Sequence, residues 1–328
     1  MAATCRCIRV FKFPVRSLLL RTFCSHESPE RNDNIPPFDN NKVQTILKKI
    51  TGRNLDKIFA ARKQNLDVPS YKLMTDEEYL EAQHEIKEKA ANVLEMPPVM
   101  DERQEINEVI EENDELAHFS ESNFVFTDIS TSVDDRTRSI TIREPSGRLR
   151  KATWEERDRM NFIYFPKPGR KYEMPELLKD EVLETVFQQN RHEDVLDLAC
   201  VQFEPDSADY IRVHHQTYED IFRDKKFDVL RSTRHFGGLV YYLAKSQRIV
   251  EILDDMMERE LWDDCIQVVR LHHLCHPKST IAEQAHRNNL KGFFMVRAYI
   301  RRHGSPGLLE KLEDYMLQAN REKDVEKS

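Results

Sequence analysis

The chain has 328 residues, with 50 lysines and arginines against 58 aspartates and glutamates, a formal net charge of −8 and a mean hydropathy of −0.67. That length suffices for two domains or one elongated one, and the acidic balance repels bulk nucleic acid, so any phosphate contact must come from local basic patches. Only 8 glycines leave little material for phosphate-cradling loops, and 6 cysteines without a Cys-x-x-Cys pair disfavour a disulfide framework or a cysteine-rich zinc site.

Residues 1–26 hold Arg6, Arg9, Lys12, Arg16 and Arg21 among Phe11, Leu18, Leu19, Leu20 and Phe23, and contain no acid. An arginine-rich, acid-free amphipathic leader reads as a mitochondrial presequence, which lies on a surface as a basic helix and is drawn inward by the membrane potential. A secretory signal needs a longer apolar core than Leu18 to Leu20 supply. Arg21-Thr22-Phe23 before Cys24-Ser25 resembles a matrix-processing site, so the expected location is the mitochondrial matrix. Removing the leader takes 5 bases and no acids, which leaves a body with 13 more acids than bases. No stretch approaches the ~18 apolar residues of a membrane span, the richest, 237–244, being interrupted by Tyr241 and Tyr242.

Residues 27–123 read as a helical and acidic extension with linkers. A polar, proline-containing tail (27–37) feeds a short helix over 41–50, where apolar and basic residues alternate at helical spacing. Thr75-Asp76-Glu77-Glu78 has the capping-box pattern and opens a helix through Glu95, stopped by Pro97-Pro98. The strongly acidic stretch 101–115 reads as a linker or an exposed helix.

Residues 124–174 change character. The apolar run 124–129 pairs with 139–142, a turn follows at Glu144-Pro145-Ser146-Gly147, and Arg148-Leu149-Arg150-Lys151 forms a third short strand, giving a small β-meander with a basic loop. Thr153-Trp154-Glu155-Glu156 repeats the capping-box pattern and opens a brief charged helix through Met160. Residues 175–328 read as all-helical, over 176–190, 192–203, 208–222, 233–245, 248–259, 262–274, 281–302 and 307–319. Short connections between such helices imply stacked antiparallel hairpins without a strict repeat period. The expected fold class is mainly α, with helical hairpins stacked in a solenoid-like C-terminal part and a small antiparallel β-meander inserted mid-chain.

Catalytic signatures are missing: the sequence has no Gly-x-x-x-x-Gly-Lys-Ser/Thr, no Gly-x-Gly-x-x-Gly and no Gly-x-Ser-x-Gly. His272 and His276 share a helix face and could bind a metal, but the remaining ligands are missing, and histidines near a helix C-terminus also favour its dipole. His214, His215, Glu219 and Asp220 include an i,i+4 His–Glu pair without a nucleophile nearby, which reads as a surface pair. No catalytic residue, cofactor, metal or small-molecule substrate is therefore expected.

The basic clusters carry more. Arg148, Arg150 and Lys151 lie on the third strand, Arg157 and Arg159 on the following helix, and Phe162, Tyr164 and Phe165 lead into a cationic loop with Lys167, Arg170 and Lys171. Cations beside rings suit phosphate contact and base stacking. Arg231 and Arg234 flank two hydroxyls at an expected helix start, a second arrangement able to hold a phosphate, unless the hydroxyls cap the helix and the arginines pair with acids such as Asp228. Arg297, Arg301 and Arg302 form a third basic group.

Several longer words resemble one family: Tyr71-Lys72-Leu73-Met74-Thr75, Met96-Pro97-Pro98-Val99, Val125-Phe126-Thr127-Asp128-Ile129-Ser130, Arg143-Glu144-Pro145-Ser146-Gly147, Trp154-Glu155-Glu156-Arg157-Asp158-Arg159-Met160, Gln202-Phe203-Glu204-Pro205-Asp206-Ser207 and Leu230-Arg231-Ser232-Thr233-Arg234. Over residues 71–238 the chain resembles the animal mitochondrial small-subunit ribosomal protein family numbered twenty-two, which has no bacterial ribosomal counterpart. The resemblance implies a non-catalytic, mostly helical component of the mitochondrial small ribosomal subunit, supporting mitochondrial translation through contacts with its rRNA and with neighbouring ribosomal proteins. Arg148, Arg150, Lys151, Arg157, Lys167, Arg170, Lys171, Arg231 and Arg234 are the expected rRNA contacts. The rival readings are a free helical matrix adaptor or RNA-binding assembly factor, and an enzyme built on the His214 group.

Overall fold

The computed structural model describes residues 35–50, 53–59, 71–118 and 120–325, so the expected presequence lies outside the described residues. Helix α1 (Asn41–Lys49) begins where the Asn40 side chain accepts from the Lys42 N–H at 2.9 Å. Its Val43 and Leu47 are buried against α9 (Phe236–Lys245) and α11 (Trp262–Cys275). Phe38 meets the Tyr241 ring edge-on at 5.2 Å, and the Tyr241 hydroxyl donates to the Pro36 carbonyl at 2.8 Å. A stretch that looks like the end of a tail is thus part of the main apolar core. One turn of helix, α2 (Leu55–Ile58), is tied down by Lys57 Nζ, which donates to the Asp228 and Val229 carbonyls. In α3 (Asp76–Val93) both halves of the Thr75–Glu78 capping box are formed, and only Ala90 is buried.

The mid-chain sheet has four antiparallel strands rather than three. The strands β1 (Val109–Glu112), β2 (Phe124–Thr127), β3 (Ile140–Arg143) and β4 (Arg148–Lys151) are ordered β1-β4-β3-β2. The acidic stretch expected as a linker or helix therefore supplies an edge strand. Charge complementarity explains it: Glu108 pairs with Lys151 at 2.7 Å, Glu111 with Arg143 at 3.2 Å and Glu112 with Arg148 at 3.6 Å. Opposite charges across neighbouring strands stabilise a pairing that alternating hydrophobicity does not announce. Ile140 and Ile142 point inward from β3 onto Ala152, with Met160 of α4 (Trp154–Tyr164) packed against them. Gly147 makes the β3–β4 turn at φ +85°, and a Cβ there would lie 2.1 Å from the Asn113 carbonyl oxygen, so no other residue fits.

C-terminal to the sheet the chain is helical: α5 (Asp180–Gln188), α6 (His192–Gln202), α7 (Ala208–Arg223), α8 (Phe227–Leu230), α9, α10 (Val250–Glu258), α11, α12 (Thr280–Arg287), α13 (Phe293–His303) and α14 (Pro306–Val325). The expected 281–302 helix is broken in two between Asn288 and Gly292, Gly292 having φ +59°. The expected start of α9 at 233 moves to Phe236, because Ser232 takes φ +63° and Arg231 is extended.

Five of the helices end alike. Asn190, Lys225, Gln247, Glu260 and Asn289 each take a left-handed conformation just past a helix. Their N–H groups, and those of the residues after them, turn back to the last carbonyls, as Glu260 N–H does to Met257 and Leu261 N–H to Met256 at 3.1 and 2.9 Å. This is the Schellman closure, normally given to glycine; here mostly other residues adopt it, which is how a chain with 8 glycines makes so many tight turns.

Helices close in the chain pack on one another, α6 on α7, α10 on α11, α11 on α13 and α13 on α14, an arrangement compatible with stacked hairpins. The main core gathers Phe227, Leu239, Leu243, Ile249, Ile252, Val268, Tyr299 and Leu312, each contributing roughly 1.5–3 kcal/mol by burial. A second cluster of Leu178, Leu183, Phe187, Val195 and Val213 shares α6 and α7 with the first.

Candidate nucleic-acid interface

The cations of the sheet divide by what holds them. Arg150 donates from Nε to Glu144 at 2.7 Å and from both Nη atoms to Glu156 at 2.8 and 2.9 Å, an arrangement that raises its affinity for its proton further. Its guanidinium is committed to joining β4, the turn and the start of α4. Arg148 and Lys151, on the inner strand β4 and paired with Glu112 of β1 and with Glu108 just before it, keep nearly half of each side chain exposed.

Arg157 has turned inward and is 6% exposed, its Nη2 donating to the Arg136 and Arg138 carbonyls at 2.9 and 2.6 Å. Arg138, which sequence reading did not single out, does the same for the β2–β3 connection: it donates to the carbonyls of Asp128, Ser130 and Val133 while stacking 3.8 Å from the Phe165 ring. A buried arginine that saturates loop carbonyls is a structural clamp, and nothing in local spacing distinguishes it from a surface cation.

Beyond α4, the cationic loop docks on the end of α6. Lys167 donates to Glu204 at 2.7 Å and faces Asp135 at 3.2 Å, Arg170 donates to the same Glu204 at 2.8 Å, and the Gln202 amide bonds the Lys171 backbone in both directions. A small cleft beside it, lined by Arg103, Asp135, Arg136, Trp154, Arg170 and Glu204 among others, mixes both signs of charge. The Lys171 side chain and Arg159 are exposed and have no ion pair among the described residues. Arg159 lies 5.8 Å from the Tyr172 ring, Tyr172 is 63% exposed, and Phe162 lies 5.9 Å from it. Sequence reading passed over Tyr172, although a tyrosine directly after Lys171 was the available signal.

The second cluster is divided between the core and the surface, Arg234 keeping 38% of its side chain exposed. Arg231 is 4% exposed, ion-paired through Nη2 with Asp255 and set 5.0 Å from the Phe236 ring. Arg234 and His235 share Asp197, at 2.8 Å each. Asp228 pairs with Arg259 instead. The helix start expected to hold phosphate lacks a side-chain cap at His235, and its leading arginine faces the core. In the third group, Arg297 donates to Glu313 at 2.6 Å and Arg301 lies 3.7 Å from the same carboxylate.

The histidine groups also resolve into packing. His214 is buried with Nδ1 at 2.8 Å from the Tyr210 carbonyl; Asp220 bonds His192 at 2.8 Å; Glu219 bonds Arg248 and the Tyr242 hydroxyl. The expected surface pair of His215 and Glu219 is replaced by Glu219–Arg248, because Arg248 reaches across from the turn after α9. His214 and Asp220 thus serve separate buried partners, while His215 and Glu219 both meet Tyr242. His276 Nε2 lies 3.0 and 3.1 Å from the Ala244 and Lys245 carbonyls, closing the C-terminal end of α9. Cys200, His214 and His235, from three separate segments, come together inside this helical part, which no sequence spacing indicated.

Comparison with known proteins places the chain in a family. Residues 36–277 match the family model described as mitochondrial 28S ribosomal protein S22. The chain is 46% identical over 288 residues to the small ribosomal subunit protein mS22 of Bos taurus, covering 88% of this chain and 80% of the relative. It is 47% identical over 272 residues to the mS22 of Mus musculus, covering 83% of this chain and 76% of that one. The matched region takes in α1, the whole sheet and the helices through α11, so the chain belongs to the mitochondrial 28S ribosomal protein S22 family.

Proposed function

We propose that this chain is a structural component of the mitochondrial small ribosomal subunit, acting in the matrix without catalysis. Membership of the S22 family carries the reading, and the charge layout agrees with it: among the described residues many cations are held in ion pairs within the chain. The surface offered to rRNA is the β4 side of the sheet and the loop beyond α4, with Arg148, Lys151, Lys167 and Lys171 taking phosphates and Arg159 with Tyr172 offering a stacking surface. Arg150 and Arg170 hold that surface in shape through Glu156, Glu144 and Glu204, while Arg157 and Arg231 support the fold from inside. Neighbouring ribosomal proteins fit the apolar residues that α3 and its approach leave exposed, Tyr71, Leu73, Tyr79 and Leu80 among them.

Sedimentation of a detergent lysate of mitochondria, with and without magnesium chelation and a high-salt wash, tests the reading. Comigration with small-subunit rRNA that survives the wash is the expected result. Light fractions throughout would refute it in favour of a free adaptor or assembly factor. Charge reversal at Lys171 and Arg159 is expected to weaken incorporation while leaving the purified chain folded, and normal incorporation would remove that surface from the interface.

A further inference from the structure

Where α6, α7 and the start of α9 meet, a ring nitrogen of His214, a ring nitrogen of His235 and the Cys200 sulfur all lie within 4.8 Å of one another. Both histidines are buried and Cys200 is half-buried. No other group of three or more histidine, cysteine or acidic side chains gathers in this way among the described residues.

The surroundings orient these atoms as ligands are oriented. His214 Nδ1 lies 2.8 Å from the Tyr210 carbonyl, which fixes the ring proton on Nδ1 and leaves Nε2 with its lone pair. That Nε2 is buried and has no hydrogen-bond partner. A buried acceptor left in this state costs about 1–3 kcal/mol, a cost that a bound ion removes. His235 Nε2 lies 2.8 Å from Asp197 Oδ1, an oxygen that Arg234 also holds at 2.8 Å; a carboxylate behind an imidazole is the partner that metal-bound histidines take. The Tyr210 hydroxyl lies 3.8 Å from the Cys200 sulfur and bounds the group on that side.

We infer that Cys200, His214 and His235 form a zinc-binding site, with one thiolate and two imidazoles as protein ligands and a water molecule in the fourth position. One sulfur with two neutral nitrogens is a borderline-soft set that suits zinc. A tetrahedral ion holds such donors roughly 3.5 Å apart, a spacing these side chains reach by small rotations. On binding, the Cys200 thiol releases its proton to solvent and the sulfur takes the metal in its place. The ion joins α6 and α7 to the start of α9, and so links the two apolar clusters that share α6 and α7.

The test uses the full chain, purified without chelators, with zinc measured by mass spectrometry and cobalt(II) as spectroscopic probe. Stoichiometric zinc is expected, together with a near-ultraviolet thiolate-to-cobalt band and strong tetrahedral d–d absorption. Cys200→Ser is expected to abolish the thiolate band, and His214→Gln and His235→Gln each to weaken zinc retention and the d–d bands, with the far-ultraviolet dichroism kept. Absence of stoichiometric zinc and of a thiolate band in the native chain overturns the assignment, as does an unchanged cobalt spectrum in any folded variant. Should the variants fail to fold, X-ray absorption on the zinc-loaded native chain decides: one sulfur among nitrogen and oxygen neighbours supports the site, and a shell with no sulfur or several overturns it.

Discussion

Arg231 provides a sharp separation between a cation that binds and one that builds. It sits in a basic word of the sequence, yet its guanidinium is 4% exposed, paired with Asp255 and stacked near Phe236. Replacing it with methionine keeps the volume and removes the charge. Breaking a buried pair from one side ordinarily costs about 3–5 kcal/mol, because the other charge is stranded. Here Asp255 is still held by Arg259 at 3.1 Å and retains some exposure, and Arg231 itself leaves Nε and Nη1 without partners, a burden that the substitution relieves. Both effects reduce the loss, so Arg231→Met is expected to cost about 2 kcal/mol. Urea unfolding followed by circular dichroism reads this as a lower midpoint with an unchanged slope. In the same chain, rRNA association per folded molecule should be unaltered. A variant with the native midpoint that fails to enter the subunit would refute the reasoning and return Arg231 to the phosphate-binding set.

Gly147→Ala is expected to lose about 3 kcal/mol or more in chemical unfolding, since φ +85° is unfavourable for alanine and its Cβ would press on the Asn113 carbonyl; a loss below about 1 kcal/mol would show that the turn can move. Glu260→Gly is expected to raise stability by about 0.5–1 kcal/mol, the relief at φ +60° outweighing the extra freedom of the unfolded glycine, and a lower urea midpoint would contradict this. Hydrogen bonds from Arg150 pull the Glu156 carboxyl from its ordinary 4.5 down to about 2, so the pair's contribution is complete above pH 4.5 and is lost as the pH falls toward 2. With a third of that side chain in water the contribution is about 1–2 kcal/mol, and Glu156→Gln should flatten the acid limb of the stability profile by that amount; parallel profiles would assign the acid sensitivity elsewhere.

Helices and capping boxes were legible because they are local: Thr75 with Glu78, and Thr153 with Glu156, close as their spacing implies. The strand pairing of β2, β3 and β4 was legible from alternation and from Gly147. Strand β1 was not, since its partners are charges on β4 and β3 rather than an apolar face. Turns built on Lys225, Gln247 and Glu260 escaped notice because those residue types do not advertise a left-handed backbone. At the candidate interface the basic residues were visible, but their division was not. Whether a guanidinium meets a carbonyl 19 residues away, as Arg157 meets Arg138, or water, is settled only by the fold.

The acidic strand at the edge of the sheet bears on how selectively the chain engages RNA. Lys151 and Arg148 already face carboxylates from β1 and the residue before it, so a phosphate that takes either one must displace Glu108 or Glu112. The freed carboxylate then gathers cations from solution, which offsets part of the ion release that drives loose attachment to nucleic acid. Stray transcripts gain little from such an exchange and, through the body's surplus negative charge, are also repelled. On the proposed interface, an rRNA surface that met several of these positions at once would gain from all of them, and the strand would act as a threshold favouring a fixed, many-point partner over a mobile single strand.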